Sequence, residues 1–593
     1  LTRRLAARLL SAVAQARRIA VCAGGIGLGL LAGGAAPALA GHEVVLRLKG
    51  GDIEVAGEVR SFDGQRWVVA ARGFGELALE AARFDCVEGD CSAASLPPRA
   101  TLELAPASQL PAPVLTLDTA PPLDRELIPS LIRAYAGHMG GSAKQMIGAA
   151  TDETRFKLID RRGLDLAEIN VRRRGSDQVF AALRGGEAAI GATTRTLTPA
   201  ELAQAGAPAQ RTAFTDNEHV LGLDGLAVIV PPGSPARRLA AGQLARIFSG
   251  EISDWKAVGL PPGPITVYAG GERTADALAA IARPGGLALS PAATRIADEA
   301  ALSDAVARDA GAIGITSLTQ VRNARAIDIE LACGLVARPT DFAIKAEEYP
   351  LGRRLYVYSN GKPREPMAQE LIRFAASRPG QQAVRDGGLI DQAIAADAAE
   401  NEKERLTRAA TIGRNAATLA LGRRFAADVE KAHRLSLTFR FALNSSELDA
   451  KARGDIQRLA ELLKAPELKG RTVMLIGFTD APGKPQFNAA LSQKRADEIR
   501  SAVLKELANP EAARRIVARG YGPAAPVACN GGDAGQFRNR RVEVWIRDGG
   551  EDALAPPVAT LKPARPSTAE AERLRKSAAA GRTAQGERKR QLR

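Results

Sequence analysis

The sequence predicts a multidomain chain: a small N-terminal β domain, a long α/β domain and an α+β C-terminal domain. Three observations lead there. At 593 residues the chain is too long for one hydrophobic core. Its apolar patterning shifts from short alternating runs, to short strands interleaved with helical faces, to a single strand–helix–strand–helix–strand succession. A proline-rich stretch and a charged stretch fall where the patterning shifts. The expected division is residues 1–40, 41–92, 93–113, 114–395, 396–434, 435–549 and 550–593.

Residues 1–40 read as an export signal. Basic residues through Arg17 and Arg18 precede an apolar, glycine-rich run from Ile19 to Ala35, and Ala38-Leu39-Ala40 offers small residues for cleavage before Gly41. The run nearly reaches spanning length, so an uncleaved anchor is the other reading; its glycines and the cleavage site favour removal. Cys22 does not suit lipidation, because the apolar run follows it.

Residues 41–92 are strand-like. Val44-Val45-Leu46-Arg47-Leu48, Ile53-Glu54-Val55, Gly57-Glu58-Val59 and Arg66-Trp67-Val68-Val69 alternate or run apolar, with turns at Gly50-Gly51 and Asp63-Gly64. A small barrel or sheet is expected. Cys86 and Cys91 are near enough to close a small disulfide loop in an oxidising compartment. As a metal half-site they lack a second Cys/His pair. Cys333 and Cys529 are expected to be free and buried, an interdomain bridge being the other reading.

After the proline-rich linker (93–113), strands such as Leu115-Thr116-Leu117, Ile169-Asn170-Val171 and Leu226 to Val230 alternate with helical faces, Leu127, Ile128, Leu131, Ile132 and Tyr135 lining one of them. The charged helical connector (396–434) either spaces the domains or packs back on one. The C-terminal domain offers a strand at Leu437 to Phe441, a helix at Asp449 to Leu463, a strand at Thr472 to Ile476, a helix at Asn488 to Leu507 and a closing strand at Val542 to Ile546. The tail (550–593), rich in Ala, Pro, Arg and Lys, is expected to be disordered.

Lys and Arg number 81 against 66 acids, a net charge of +15. Arg-rich codon usage and a basic tail account for such an excess; attraction to anionic envelope polymers is the functional alternative. No nucleic-acid motif accompanies the charge, so nucleic acid is not an expected partner. His42, His138, His219 and His433 are scattered outside any motif. Neither a catalytic triad, a metal centre nor a cofactor is expected.

The most informative chemistry lies at Gly477-Phe478-Thr479-Asp480-Ala481-Pro482-Gly483, followed by Asn488, Leu491-Ser492 and Arg495-Ala496. A carboxylate stands in a turn after an apolar strand, and a guanidinium follows in an amphipathic helix. A fixed acid and a fixed base facing one small space suit a ligand with an ammonium and a carboxylate on the same carbon. Asp480 alone would be a turn aspartate and Arg495 alone an exposed helix residue; the spacing joins them. With Phe439-Arg440-Phe441, Asn444-Ser445-Ser446-Glu447-Leu448, Gly520-Tyr521-Gly522-Pro523 and Asn539-Arg540-Arg541, the segment from Leu435 to Arg547 resembles the peptidoglycan-binding domain of the OmpA-like family. Phe478 departs from it, since the family often has a histidine there that does not hold ligand. The resemblance implies that the ligand is the diaminopimelate side chain of the peptidoglycan stem peptide. Asp480 would accept from its ammonium, Arg495 would clamp its carboxylate, Asn444 and Asn488 would hold polar edges, and Arg541 would shape the site or meet a second carboxylate.

Gly222-Leu223-Asp224-Gly225 leads into Leu226 to Val230, and Leu244-Ala245-Arg246-Ile247-Phe248-Ser249-Gly250-Glu251-Ile252-Ser253-Asp254-Trp255 follows. With Gly311-Ala312-Ile313-Gly314 and Glu348-Tyr349-Pro350-Leu351-Gly352-Arg353-Arg354-Leu355-Tyr356, most of Val114 to Asp391 resembles the phosphate-binding family of periplasmic substrate-binding proteins. The resemblance implies two lobes and a cleft where hydroxyls, backbone N–H groups and an arginine hold an oxyanion. Its anion loops fall at Asp118-Thr119-Ala120, Gly175-Ser176, Thr193-Thr194-Arg195 and Gly271-Glu272-Arg273-Thr274. Candidate contacts are therefore Thr119, Ser176, Thr193, Thr194, Arg273 and Thr274, although Ser176, Thr193 and Thr194 would also serve as helix caps. Asp118 and Glu272 are departures, because a buried carboxylate beside phosphate costs several kcal/mol unless paired.

Together the two resemblances imply a non-enzymatic envelope protein in the periplasm, bound to peptidoglycan, with outer-membrane association as a further expectation. It would present a binding-protein-like domain to a small ligand or an envelope partner. The alternative is a wall-tethered receptor for phosphate or another oxyanion, working with an ABC permease.

Overall fold

The computed structural model describes residues 42–548 except 50–53, 63–65, 72–74, 90–112, 149, 199, 202–216, 271–273, 275–276, 278–287, 360–365, 398–401, 414, 444–446 and 469. The expected export signal, nearly all of the proline-rich linker and the basic tail lie outside the described residues, as do Cys91, Arg273 and Asn444. Two units are distinguished, Leu1–Gln109 and Leu110–Arg593.

In the first unit the strands Gly75–Glu80, Arg66–Ala71, Glu54–Phe62, His42–Leu48 and Phe84–Gly89 lie in that order in one antiparallel sheet. The two-residue alternation puts Val44, Leu46, Val59, Trp67 and Val69 together in its core. Cys86 is disulfide-bonded; Cys91, its expected partner, is among the residues not described.

In the second unit the α/β region is organised by the strand Glu218–Val230, buried along nearly its whole length. Its second half, Leu226 to Val230, reads as a continuous apolar run because both of its faces are covered. Residues 218–225 pair antiparallel with Gly352–Ser359, while residues 226–229 pair with Ala312–Ser317. One strand therefore belongs to two cores. The first gathers Leu117, Ile132, Phe156, Ile169 and Leu371; the second gathers Val228, Leu244, Phe248, Ile313 and Ile329. In the first lobe Val114–Thr119 runs parallel to both Asp165–Arg173 and Ile190–Thr193, so their C-terminal ends open on the same side.

The C-terminal sheet has the order Ala396–Asp397, Ala432–Arg440, Arg541–Asp548, Arg471–Phe478, Ile516–Gly520. Strand alternation gives it two apolar faces. Val473, Leu475, Val542 and Val544 pack under the helices Ala450–Leu462 and Pro485–Leu507. Met474, Ile476, Phe478 and Trp545 pack on the opposite face against Phe425 and Val429 of the helix Ala416–Val429, with Ala409 of Lys403–Thr411. The connector thus packs back on the C-terminal domain. Phe425 is its anchor, 5.1 Å from the Phe478 ring and 5.9 Å from the Trp545 ring.

Cys333 and Cys529, expected to be free, are joined in a disulfide with Cα atoms 5.6 Å apart. The correction has a tertiary cause: the α/β region and the C-terminal domain dock within one unit, which brings together cysteines 196 residues apart in sequence. Around the bridge, Arg408 donates to the carbonyls of Gly334 and Cys333 at 3.1 Å each. Farther along, Arg354 Nη1 meets Asp449 at 2.6 Å, and Arg440 Nη2 donates to the Ala346 and Glu347 carbonyls at 2.7 and 3.0 Å. Arg434, 1% exposed, bridges Glu348 of the α/β region and Glu402 of the connector. Among the described residues no helix is long and apolar enough to cross a membrane.

Candidate functional site

Asp480 follows the strand Arg471–Phe478 in a turn held from several sides. Thr479 N donates to Gly522 O at 2.9 Å, Ala481 N to Asn530 Oδ1 at 3.2 Å, and Asn488 Nδ2 to Pro482 O at 2.9 Å. Asn488 lies one turn into Pro485–Leu507, which begins with a proline where a missing N–H is harmless. Two glycines let this helix press on the sheet. A Cβ on Gly477 would stand 2.0 Å from Ser492 O, and one on Gly520 would stand 2.2 Å from Gln493 N. The helix backbone therefore touches the strands just where Asn488, Ser492 and Arg495 turn inward.

Arg495 is 2% exposed and lies over the Phe441 ring at 5.0 Å. Its Nε and Nη1 are buried without a hydrogen-bond partner among the described residues. Burial holds its pKa below the ordinary guanidinium value, and neighbouring Arg540 pushes the same way, while Asp480 and Glu498 oppose. Asp480, itself buried, accepts from Arg540 Nη1 at 2.9 Å. An unpaired buried guanidinium is unfavourable by itself. A ligand carboxylate would satisfy its planar fork, and a ligand ammonium would find Asp480 nearby. Asn488 is buried at the rim of the same turn.

Arg541 lies elsewhere. Along Arg541–Asp548, residues 542, 544 and 546 face the core under Pro485–Leu507, so residues 541, 543 and 545 face the connector helices. Arg541 Nε donates to Glu543 at 2.7 Å, Nη2 to Ala525 O at 2.7 Å, and its guanidinium covers the Phe478 ring at 4.2 Å. Parity along the strand thus excludes Arg541 from contact with a ligand on Arg495. The guanidinium on Asp480 is Arg540, a residue that sequence reasoning quoted in its motif but gave no role. Alternation along the closing strand was the signal that could have found it.

In the α/β region, Thr119 and Thr193 end adjacent strands, with Thr119 paired beside Ala192. Ser176 begins the helix Ser176–Gly185, and Arg174 N donates to Thr119 O at 2.9 Å. These three hydroxyls therefore gather at one end of the first lobe. Thr119 Oγ1 is buried without a partner among the described residues, whereas Thr193 Oγ1 donates to Arg195 O at 2.8 Å. Thr194 is half-buried. Thr274 belongs to the second lobe, where its hydroxyl accepts from Gly270 N at 3.0 Å.

The positive charges at this end of the first lobe already have partners. Asp118, fully buried, accepts from Arg172 Nε and Nη2 at 2.6 and 3.1 Å and forms an ion pair with Arg174 at 3.2 Å. Arg195 forms a two-pronged pair with Glu201 at 2.7 and 2.8 Å. Its guanidinium holds the Glu201 carboxyl down to about 2, against the opposing effect of burial. Among the described residues no group of three or more His, Cys, Asp or Glu side chains is placed to hold a metal ion.

Comparison with known proteins finds an OmpA family domain at residues 440–540 and a PBP superfamily domain at residues 162–379. The chain is 35% identical over 120 residues to outer membrane porin F of Pseudomonas fluorescens, covering 20% of this chain and 35% of the porin. It is 32% identical over 115 residues to the peptidoglycan-associated lipoprotein of Pseudomonas putida, covering 19% and 66%. The chain thus spans about a third of the length of the porin it matches. Among solved structures, an ABC-type phosphate transport receptor from Vibrio cholerae aligns at 20% identity with a TM-score of 0.35, over 46% of this chain and 99% of that one. The chain is therefore multidomain, with N-terminal strands, a two-lobed α/β domain of the PBP superfamily and a C-terminal OmpA domain. Both families are binding or structural rather than enzymatic.

Proposed function

We propose that this chain is a non-enzymatic protein of the Gram-negative cell envelope that binds the diaminopimelate stem peptide of peptidoglycan through its OmpA domain. The single observation that carries the reading is Arg495, a buried guanidinium whose Nε and Nη1 have no partner among the described residues and which is close enough to Asp480 to feel its charge. A carboxylate and an ammonium on one carbon would complete both groups. Asn488 frames the site, and Asn444 is assigned by its position in the motif. A periplasmic, wall-associated location, with the outer membrane nearby, agrees with relatives that are an outer membrane porin and a peptidoglycan-associated lipoprotein. The test is sedimentation with purified sacculi. The full chain should pellet with them, and the Asp480→Ala, Arg495→Ala double variant should stay in the supernatant; pelleting of both would end the reading.

On this reading the α/β domain is presented on the wall to a small ligand or an envelope partner. One observation favours the alternative of a tethered oxyanion receptor: the buried Thr119 hydroxyl has no partner among the described residues. The Asp118 carboxylate weighs against orthophosphate, because it already pairs with Arg172 and Arg174 and would itself repel a second anion. Titration calorimetry of the full chain with orthophosphate should give a flat trace. Saturable heat would favour the receptor and, with it, an ABC permease as partner.

A further inference from the structure

Beside the Asp480 turn lies a cavity of about 130 Å³ between the connector helices and residues 523–530. It lies outside the span matched to the OmpA family on one side, because Arg408, Ile412 and Thr418 of the connector form that wall. Ala481, the residue after Asp480, lines the other. The volume would hold roughly four waters at ~30 Å³ each, which is the size of a propionate-like fragment.

Its lining has a definite polarity. Pro523, Pro526, Ala481 and Ile412 supply apolar surface. Of the two guanidinia at its wall, Arg405 is taken up by Glu402 and Glu543. Arg408 is not: it donates only to the carbonyls of Gly334 and Cys333 and meets no carboxylate among the described residues. Asn530 accepts through Oδ1 from Ala481 N and Asn539 Nδ2, which leaves its amide NH₂ as a donor. A small cavity with apolar sides, a cation lacking a counter-charge and a second donor suits a carboxylate that carries a short alkyl group.

We infer that this cavity is a second subsite for the same peptide, taking the terminal alanine carboxylate that follows the diamino acid held at Asp480 and Arg495. The inference rests on the wall-binding reading for the source of the alanine, and on the cavity alone for its chemistry. Ala481 and its bond to Asn530 make the two sites neighbours across one turn. A peptide held by Asp480 would round that turn to reach Arg408 on the connector side of the sheet.

Two measurements on the full chain separate the subsite from the wall-binding reading. The first compares a stem tripeptide ending in diaminopimelate with the tetrapeptide ending in D-alanine. The tetrapeptide should bind about tenfold more tightly, and Arg408→Gln should remove that gain while leaving the tripeptide affinity unchanged. Ile412 is exposed, so Ile412→Glu adds a competing carboxylate at the mouth without disturbing the core, and it should have the same effect. Equal affinities for the two peptides would overturn the subsite and leave the wall reading standing. The second follows the methyl resonance of Ile412 on adding N-acetyl-D-alanine to the Asp480→Ala, Arg495→Ala variant. Saturable shifts that Arg408→Gln abolishes are expected even if neither peptide binds; no shift would overturn the subsite.

Discussion

Replacing Glu543 by glutamine is expected to destabilise the C-terminal domain by about 3–5 kcal/mol, the range for breaking a buried ion pair by removing one partner. Glu543 is fully buried and accepts from Arg405 at 2.7 and 2.9 Å, Arg541 at 2.7 Å and Trp545 Nε1 at 2.9 Å, with Arg434 at 3.2 Å. Glutamine keeps the shape but removes the charge, and its NH₂ would face guanidinia. Glu402 and Glu348 would remain as the counter-charges for Arg405 and Arg434, while Arg541 would keep no ion-pair partner among the described residues. Urea unfolding followed through Trp545 fluorescence checks the loss. A change below about 1 kcal/mol would mean that the hub is merely tolerated.

The same group predicts the acid limb of stability. Burial alone would raise the Glu543 pKa, but Arg405, Arg434 and Arg541 outweigh it and hold the carboxyl well below its ordinary value. Glu347 at the domain junction is held at about 2, Arg354 overcoming burial in the same way. For carboxyls depressed in the folded state, the stabilisation is full above the unfolded value of about 4.3 and disappears as pH falls through the folded one. The wild type should therefore lose stability steadily below about pH 4, and Glu543→Gln should flatten part of that slope.

Arg495→Ala is the second large effect, and it should separate binding from folding. Truncating one member of a desolvated charge pair across an interface costs about 2–5 kcal/mol of affinity, or roughly 30-fold to several thousandfold. In the free protein the balance differs. The variant loses packing on Phe441 but also removes a buried cation whose Nε and Nη1 have no partner among the described residues. Those terms oppose each other, so stability should change by about 1 kcal/mol or less. Binding that survives at wild-type strength, or a variant that fails to fold, would show that Arg495 is part of the core and not a ligand clamp.

Much of this architecture was legible in the chain. The C-terminal strands and helices, and the placement of Asp480, Asn488 and Arg495 around one turn, follow from short-range patterns that a sequence carries whole: alternation, a helix-opening proline, glycines at the closest approach. The misses are long-range. Nothing local announces that Cys333 meets Cys529, because only docking of two domains places them together. The connector shows scattered Leu406, Leu419, Leu421 and Phe425 with no partner in view until the second apolar face of the sheet is present. Arg540 and Arg541 look interchangeable in sequence, yet strand parity sends one to Asp480 and the other to Glu543. In the α/β region the fold was readable while the charge pattern was only half so. Asp118 stood out as a carboxylate in an anion loop, but its pairing with Arg172 and Arg174 needed the neighbouring strand.

The most direct test of the wall-binding site compares two otherwise identical stem peptides, one with diaminopimelate and one with lysine at the third position. Lysine keeps the ammonium for Asp480 and lacks only the carboxylate assigned to Arg495. In equilibrium binding to the full chain, the diaminopimelate peptide should be favoured by at least about 30-fold, and Arg495→Ala should erase the preference. Equal affinity of the wild type for both peptides would contradict the account.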